Sequence, residues 1–240
     1  YEKGYPGANV RLYAFKPSRG VKMSKRDQYE EDVQLALEVK SVRILAPIPG
    51  TKFIGVEVPR DDQQILDVST APTPHNTLDL PIGVDVYGEP HVLNLAKAPH
   101  LLVAGSTGSG KSVALSVFIN TLIQNNTTVD LGLVLIDPKR SEFVMYEESQ
   151  HLLAPIITEA DEALTTLTWA VEEMERRYQV LKEAKCRNID SYRSQGGQMQ
   201  SIVIVIDELA DLLLASGLSG AIETNIIRIA QKARAIGIHL

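Results

Sequence analysis

Apolar residues near the start of the chain alternate at Val10, Leu12 and Ala14, the period of a strand with one face covered. Val33, Leu35, Ala36, Leu37 and Val39 then recur at helical spacing, and two short strand-like runs follow, Ser41 to Leu45 and Phe53 to Val58. Pro49-Gly50 lies between those runs; proline presets φ and glycine supplies the positive φ of a type II turn, so a hairpin is predicted. Residues 1 to about 69 thus read as a small α+β unit. Three prolines and little periodicity over residues 70–81 predict a linker, with the domain boundary there.

From residue 82 the pattern changes to continuous apolar runs, Leu101–Ala104, Leu133–Ile136 and Ile202–Ile206. Continuous runs suit parallel strands buried on both faces. A helix from Ser112 to about Gln124 is apolar nearly all round and is predicted to be buried. A long amphipathic helix from about Glu159 to Lys185 follows, opening on Thr158-Glu-Ala-Asp161, a capping-box pattern with Asp in the closing position. Leu164, Leu167, Val171, Met174, Tyr178 and Leu181 repeat along it, and Trp169, Met174 and Tyr178 are expected in the core. The alternation of strands and helices predicts a three-layer α/β domain over residues 82–240 with a mainly parallel sheet.

Composition excludes several classes. At 44% hydrophobic and 22% charged over 240 residues the chain is neither disordered nor fibrous. Its longest apolar run is about five residues, at Ile202–Ile206, far short of the roughly 18 needed to span a bilayer. The single Cys186 forms no internal disulfide, and histidines at 75, 91, 100, 151 and 239 are too scattered for a structural metal, so a reducing compartment is expected. Tyr1 is not an initiator Met, and a fragment of a longer protein is expected. Residues 1–26 carry seven Lys/Arg against Glu2, whereas 17 basic and 29 acidic residues give the remainder a net charge of −12. The basic start reads as a solvated strand and loop surface. An overall charge of −6 argues against coating nucleic acid by bulk charge, though local basic loops could still grip a phosphate backbone.

The predicted strand ending at Ala104 runs into Gly105-Ser106-Thr107-Gly108-Ser109-Gly110-Lys111-Ser112 and then into a helix. This is the G-x-x-x-x-G-K-S phosphate loop in its required context. Glycines let the loop wrap tightly around phosphates, backbone N–H groups converge on the anion, and the helix N-terminus adds about half a positive charge. Lys111 is placed to reach the β and γ phosphates, and the Ser112 hydroxyl to reach Mg²⁺. Downstream, the apolar run to Ile206 ends in Asp207 and Glu208, at the end of the strand where parallel sheets bind ligands. Asp207 is expected to hold Mg²⁺ through water opposite Ser112, and Glu208 to polarise the attacking water. Adjacent strand-end acids favour a motor-type hydrolase over a switch GTPase. With no Asn/Thr-Lys-x-Asp guanine-reading string, ATP is the expected nucleotide. Asp137, ending another run, either shapes the site or orders the turn after it, and Lys139 and Arg140 either join the site or are solvated.

These residues resemble the FtsK/SpoIIIE family of bacterial double-stranded DNA translocases over most of the chain. Carrying the resemblance are Leu45-Ala-Pro-Ile-Pro-Gly50 and Val56-Glu-Val-Pro59, then Pro99 through the phosphate loop to Ser112, then Leu135-Ile-Asp-Pro-Lys139 and Met174-Glu-Arg-Arg-Tyr178. Arg187-Asn-Ile189, Asp207-Glu-Leu-Ala-Asp211 and the segment from Arg228 to Leu240 follow in the family's order. The resemblance implies a small α domain, here residues 1–69, before a RecA-like P-loop ATPase domain that stops at Leu240 inside its next strand. It implies a homo-hexamer enclosing double-stranded DNA and moving it by ATP hydrolysis, as in chromosome partition at cell division. It also implies that Arg234 acts as an arginine finger on a neighbouring subunit's γ-phosphate, with Arg228 as the fallback. A cytoplasmic location is implied, with any membrane anchor in a segment absent from this chain. Alternative readings are a related pump for conjugative or phage DNA, and an ATP-gated assembly module that moves no DNA.

Overall fold

The computed structural model describes residues 1, 3–18, 26–62, 65, 76–106, 108–214 and 217–240. The chain divides into two compact units, Tyr1–Thr73 with Pro81–Val92, and Pro74–Leu80 with Leu93–Leu240. The linker expected over 70–81 lies outside the described residues at 70–75, and its last residues are already strand. Residues 82–92, placed by sequence in the second domain, belong to the first unit, as does Pro81 from the expected linker. The cause is side-chain packing, because Val86 joins the first unit's apolar cluster and the Tyr87 ring meets Tyr5 edge-on.

In the first unit β1 (Lys3–Pro6), β2 (Val10–Phe15), β3 (Arg43–Leu45) and β4 (Ile54–Pro59) form an antiparallel sheet in the order β1-β2-β4-β3. The alternation of Val10, Leu12 and Ala14 is the alternation of β2, whose Leu12 and Ala14 are buried with Ile48. The predicted hairpin pairs Leu45 with Gly55, and Gly50 takes φ 74°, a left-handed angle that favours glycine. Helix α1 (Arg26–Leu37) precedes β3 and is tied to it by the Ile44 amide, which donates to Glu30 Oε1 at 2.7 Å. Residues 19–25 of the basic start lie outside the described residues. Next come β5 (Asp79–Val84) and β6 (Pro90–Asn94), a two-stranded sheet that the apolar pattern did not predict.

The second unit is built on β7 (Leu131–Ile136), β8 (Ser201–Ile206) and β9 (Ile238–His239), parallel and in that order. Its helices are α2 (Lys111–Asn125), α3 (Ala160–Glu183), α4 (Ile189–Ser194), α5 (Leu209–Leu214) and α6 (Ser219–Lys232). Alternate residues of β7 point to opposite faces. Val134 and Ile136 pack with Leu167 and Met174 of α3 and Ile222 and Ile229 of α6, whereas Leu133 and Leu135 pack with Ile119 and Leu122 of α2. The sheet is therefore covered on both sides, which is why its strands read as continuous apolar runs. Among the described residues no helix is long and apolar enough to cross a membrane.

Four local expectations fail. Leu101–Ala104 is not a strand, and Leu102 is 80% exposed. A parallel strand needs a ladder, and here the Leu101 amide donates only to the carbonyl of Leu240, the last residue, at 2.9 Å. Helix α2 buries Ile119, Thr121 and Leu122 but leaves Val113 exposed, so it is not buried all round. At α3 the N-cap is Glu159, with no side-chain bond to the first turn, so the Thr158–Asp161 box does not form. Trp169 is 39% exposed because its ring lies off the stripe formed by Leu167, Ala170, Val171 and Met174.

Candidate nucleotide site

The turn before α2 takes its shape from glycine. Gly108 and Gly110 adopt φ 78° and 94°, and a Cβ on Gly105 would collide with the Ser109 hydroxyl. Gly110 is the N-cap of α2 and supplies no side-chain acceptor, so the first-turn amides remain available to an anionic ligand. Gly105, Ser106, Gly108, Ser109 and Gly110 are all exposed; Thr107 lies outside the described residues.

The other half of the site sits at the end of β8. Residue-for-residue register with β7 brings Ile206 opposite Ile136, so Asp207 and Asp137 leave adjacent strands side by side. The Asp207 amide donates to the Ile136 carbonyl at 3.1 Å, which fixes its backbone. Lys111 Nζ, on the first residue of α2, crosses to this edge. It donates to the Asp207 carbonyl at 3.0 Å and to Glu208 Oε2 at 3.1 Å, and lies 3.8 Å from Asp207 Oδ1. The phosphate loop and the paired acids are thus one site. Arg234 is elsewhere, at a cavity beside the start of β8, and Arg228 is exposed on α6.

Asp207 is 7% exposed, and its Oδ1 has no hydrogen-bond partner among the described residues. Burial raises its pKa; Lys111 opposes the shift, while Glu142, Asp137 and Glu208 add to it. A buried, unpartnered carboxylate oxygen beside an anion-binding loop fits a hydrated Mg²⁺, with Ser112 following Lys111 on α2. Among the described residues no group of three or more His, Cys, Asp or Glu is placed to hold a metal. Glu208 is held below its ordinary range chiefly by its bond to Lys111, with Lys139 contributing.

All three residues left open by sequence, Asp137, Lys139 and Arg140, find a place. Asp137 Oδ2 accepts from the amides of Glu142 and Phe143 at 2.9 and 3.1 Å, so it orders the turn, and it also raises the Asp207 carboxyl. Lys139 Nζ lies 3.2 Å from Asp211 Oδ2 and 3.7 Å from Glu208 Oε2, inside the site's charge network. Arg140 turns away to pair with Glu159. Asp211 was missed as a site residue; its signal was its position on the helix after Glu208.

Gly105, Lys111, Asp207 and Glu208 border a cavity of about 570 Å³ whose other walls include Leu102, Phe118, Val205 and Ile226. Those walls are apolar and cannot solvate a triphosphate. Its polar rim is where the loop, the Lys111 ammonium and the Asp207 and Glu208 carboxylates converge.

The FtsK/SpoIIIE family model matches residues 63–240 and the FtsK alpha domain model matches residues 2–60. The chain is 41% identical over 247 aligned residues to a DNA translocase FtsK of Campylobacter jejuni and 39% identical over 246 to the DNA translocase SftA of Bacillus subtilis; each alignment covers 98% of the chain. It spans 26% of the length of each of these relatives. Among solved structures, the pCW3 conjugation coupling protein TcpA, in monomer form with ATPγS, aligns over 99% of the chain and 68% of its own, with TM-score 0.63 and 23% identity. The type VII secretion ATPase EccC of Thermomonospora curvata aligns over 73% of the chain and 23% of its own, with TM-score 0.57 and 28% identity. The TcpA likeness shows a shared fold. With both matched segments in order and such relatives along nearly its whole length, the chain belongs to the FtsK/SpoIIIE family.

Proposed function

We propose that this chain is the motor portion of an ATP-driven double-stranded DNA translocase. The observation that carries the reading is Lys111 spanning from the phosphate loop to Asp207 and Glu208. Loop amides and Lys111 bind and orient the triphosphate; Ser112 and Asp207 hold Mg²⁺, which when bound neutralises charge on the phosphates. Glu208, kept ionised by its lysines, accepts a hydrogen bond from water and takes its proton as the water oxygen bonds to the γ-phosphorus, while the bond from that phosphorus to the β–γ bridging oxygen breaks and ADP leaves. Lys139 keeps Glu208 at the strand end when Lys111 turns to phosphate. Arg234, remote from this chain's own loop, suits a role on a neighbouring copy's nucleotide, so a ring, a homo-hexamer in this family, is the active form.

About 100 identical residues in every 250 shared with relatives called DNA translocases favour DNA as the cargo over an assembly role that moves none, and chromosomal duplex is the form we propose. A bacterial cytoplasmic site of action follows from that cargo, with any membrane anchor in other parts of the protein. ATP turnover measured with and without long linear duplex DNA tests the proposal. Duplex should raise the rate severalfold; turnover indifferent to duplex would leave the assembly-module reading in its place.

A further inference from the structure

A second cavity, of about 620 Å³, lies at the opposite end of β8 from the phosphate loop, beside Ser201. Lys97, Arg187, Arg193, Lys232 and Arg234 all border it, with Asp190 as the one acidic residue on its wall among the described residues. This is a positive site in a region whose net charge is −12.

The pairing pattern sets these cations apart. Lys111, Lys139, Arg140, Arg176 and Arg177 each face a carboxylate within ion-pair distance. Among the described residues none of the five at this cavity does, Asp190 included. Like charges gathered around one concavity repel each other, and with Asp190 a single negative charge out of ion-pair reach, most of the compensating charge comes from outside. One guanidinium is already fixed in place. Arg193 Nε donates to the Met199 carbonyl at 2.9 Å, and Nη2 donates to Ser201 Oγ at 3.1 Å, while Nη1 has no acceptor among the described residues. His239, also on the wall, adds no charge, because burial lowers its pKa to about 4.

We infer that Lys97, Arg187, Arg193 and Lys232 make this cavity a second phosphate site, which takes phosphoester anions independently of the loop at residues 105–112 and of the role proposed above for Arg234. Immobilised guanidinium with neighbouring hydroxyl and ammonium groups is the chemistry that recognises a phosphate oxygen. Two sources carry that group, the backbone of duplex DNA and a polyphosphate. The DNA source rests on the proposed function, whereas the anion chemistry does not.

The test compares the chain carrying Lys111→Ala with the same chain also carrying Lys97→Gln and Arg187→Gln, two exposed positions outside the nucleotide site. Labelled short duplex is titrated by fluorescence anisotropy over a salt series, and tripolyphosphate by calorimetry. With DNA as the source, the double substitution weakens duplex binding about tenfold and reduces the slope of log affinity against log salt by about two. Loss of tripolyphosphate binding with duplex binding unchanged also supports the site and assigns it to a polyphosphate. Both affinities unchanged would overturn the inference. If the parent chain binds no duplex, the DNA reading of the function fails, and the tripolyphosphate arm still decides the cavity.

Discussion

Glu208→Gln separates the two tasks assigned to the site, and the structure sets the size of each effect. Lys111 Nζ is shared between Glu208 Oε2 at 3.1 Å and the Asp207 carbonyl at 3.0 Å. A triphosphate seated on the loop draws the same ammonium to its own oxygens, so it competes with Glu208 for Lys111. The Glu208 and Lys111 side chains are 31% and 21% exposed, which places their ion pair in the weak, solvent-screened class of about 0.2–1 kcal/mol. Glutamine removes the charge and keeps an oxygen, so ATP should bind roughly 1.4- to 5-fold more tightly. Hydrolysis should fall by about 10²–10⁴, the ordinary contribution of a positioned general base. Calorimetric titration of an ATP analogue measures the first effect, and single-turnover hydrolysis with saturating Mg-ATP the second. Weaker ATP binding, or a turnover loss that saturating ATP restores, would refute the competition and the division of labour with it.

Other consequences are open to direct measurement. Asp207→Asn should stabilise the Mg²⁺-free chain at pH 7, read from urea unfolding, because a carboxyl pKa raised by burial means folding disfavours the charged form. That gain should vanish as pH falls through the raised native pKa toward the ordinary carboxylate value, and a gain persisting in acid would contradict it. Arg177 is 2% exposed and bonds Glu173 Oε1 and the carbonyls of Gln200 and Ile236 at 2.8, 2.8 and 2.9 Å. Arg177→Met should therefore cost about 3 kcal/mol in denaturant unfolding, since it strands the buried Ile236 carbonyl and the half-buried Gln200 carbonyl and unpairs Glu173 from it, and a loss below about 1 kcal/mol would show that water replaces the guanidinium. Arg234→Ala should leave ATP affinity intact while lowering turnover by up to about 10³ in assemblies mixed with the parent chain; unchanged mixed turnover would remove it as a finger.

What could be read from sequence was what local stereochemistry dictates. Gly108 and Gly110 are legible because their backbone angles favour glycine, and Asp207 and Glu208 because a buried run ends on them. The hairpin turning at Gly50 is legible for the same kind of reason. Tertiary partners were not legible. Nothing in the apolar run Leu101–Ala104 says whether a ladder will form beside it, and the run was misread as a strand. Lys139 and Asp211 meet only because β7 and β8 end side by side, so their pairing follows from a register that composition does not carry. Trp169 shows the same limit in a helix, where the apolar stripe has a width and the ring lies outside it.

That register also explains why the site needs so well covered a sheet. Asp137 and Asp207 are both buried, stand at neighbouring strand ends, and each keeps one carboxylate oxygen without a hydrogen-bond partner among the described residues. Two such groups repel each other and resist burial, so left to themselves they would splay the strands. The strands are held because Leu133 and Leu135 are locked on one face and Val134 and Ile136 on the other, while Asp137 Oδ2 secures the turn through two amides. Slipping β7 against β8 by one residue would exchange the faces of all four side chains, which the helices on both sides forbid. The continuous apolar runs are thus the physical condition under which the Asp207 carboxylate stays buried at the strand end, with no hydrogen-bond partner for Oδ1 among the described residues and Lys111 Nζ 3.8 Å away.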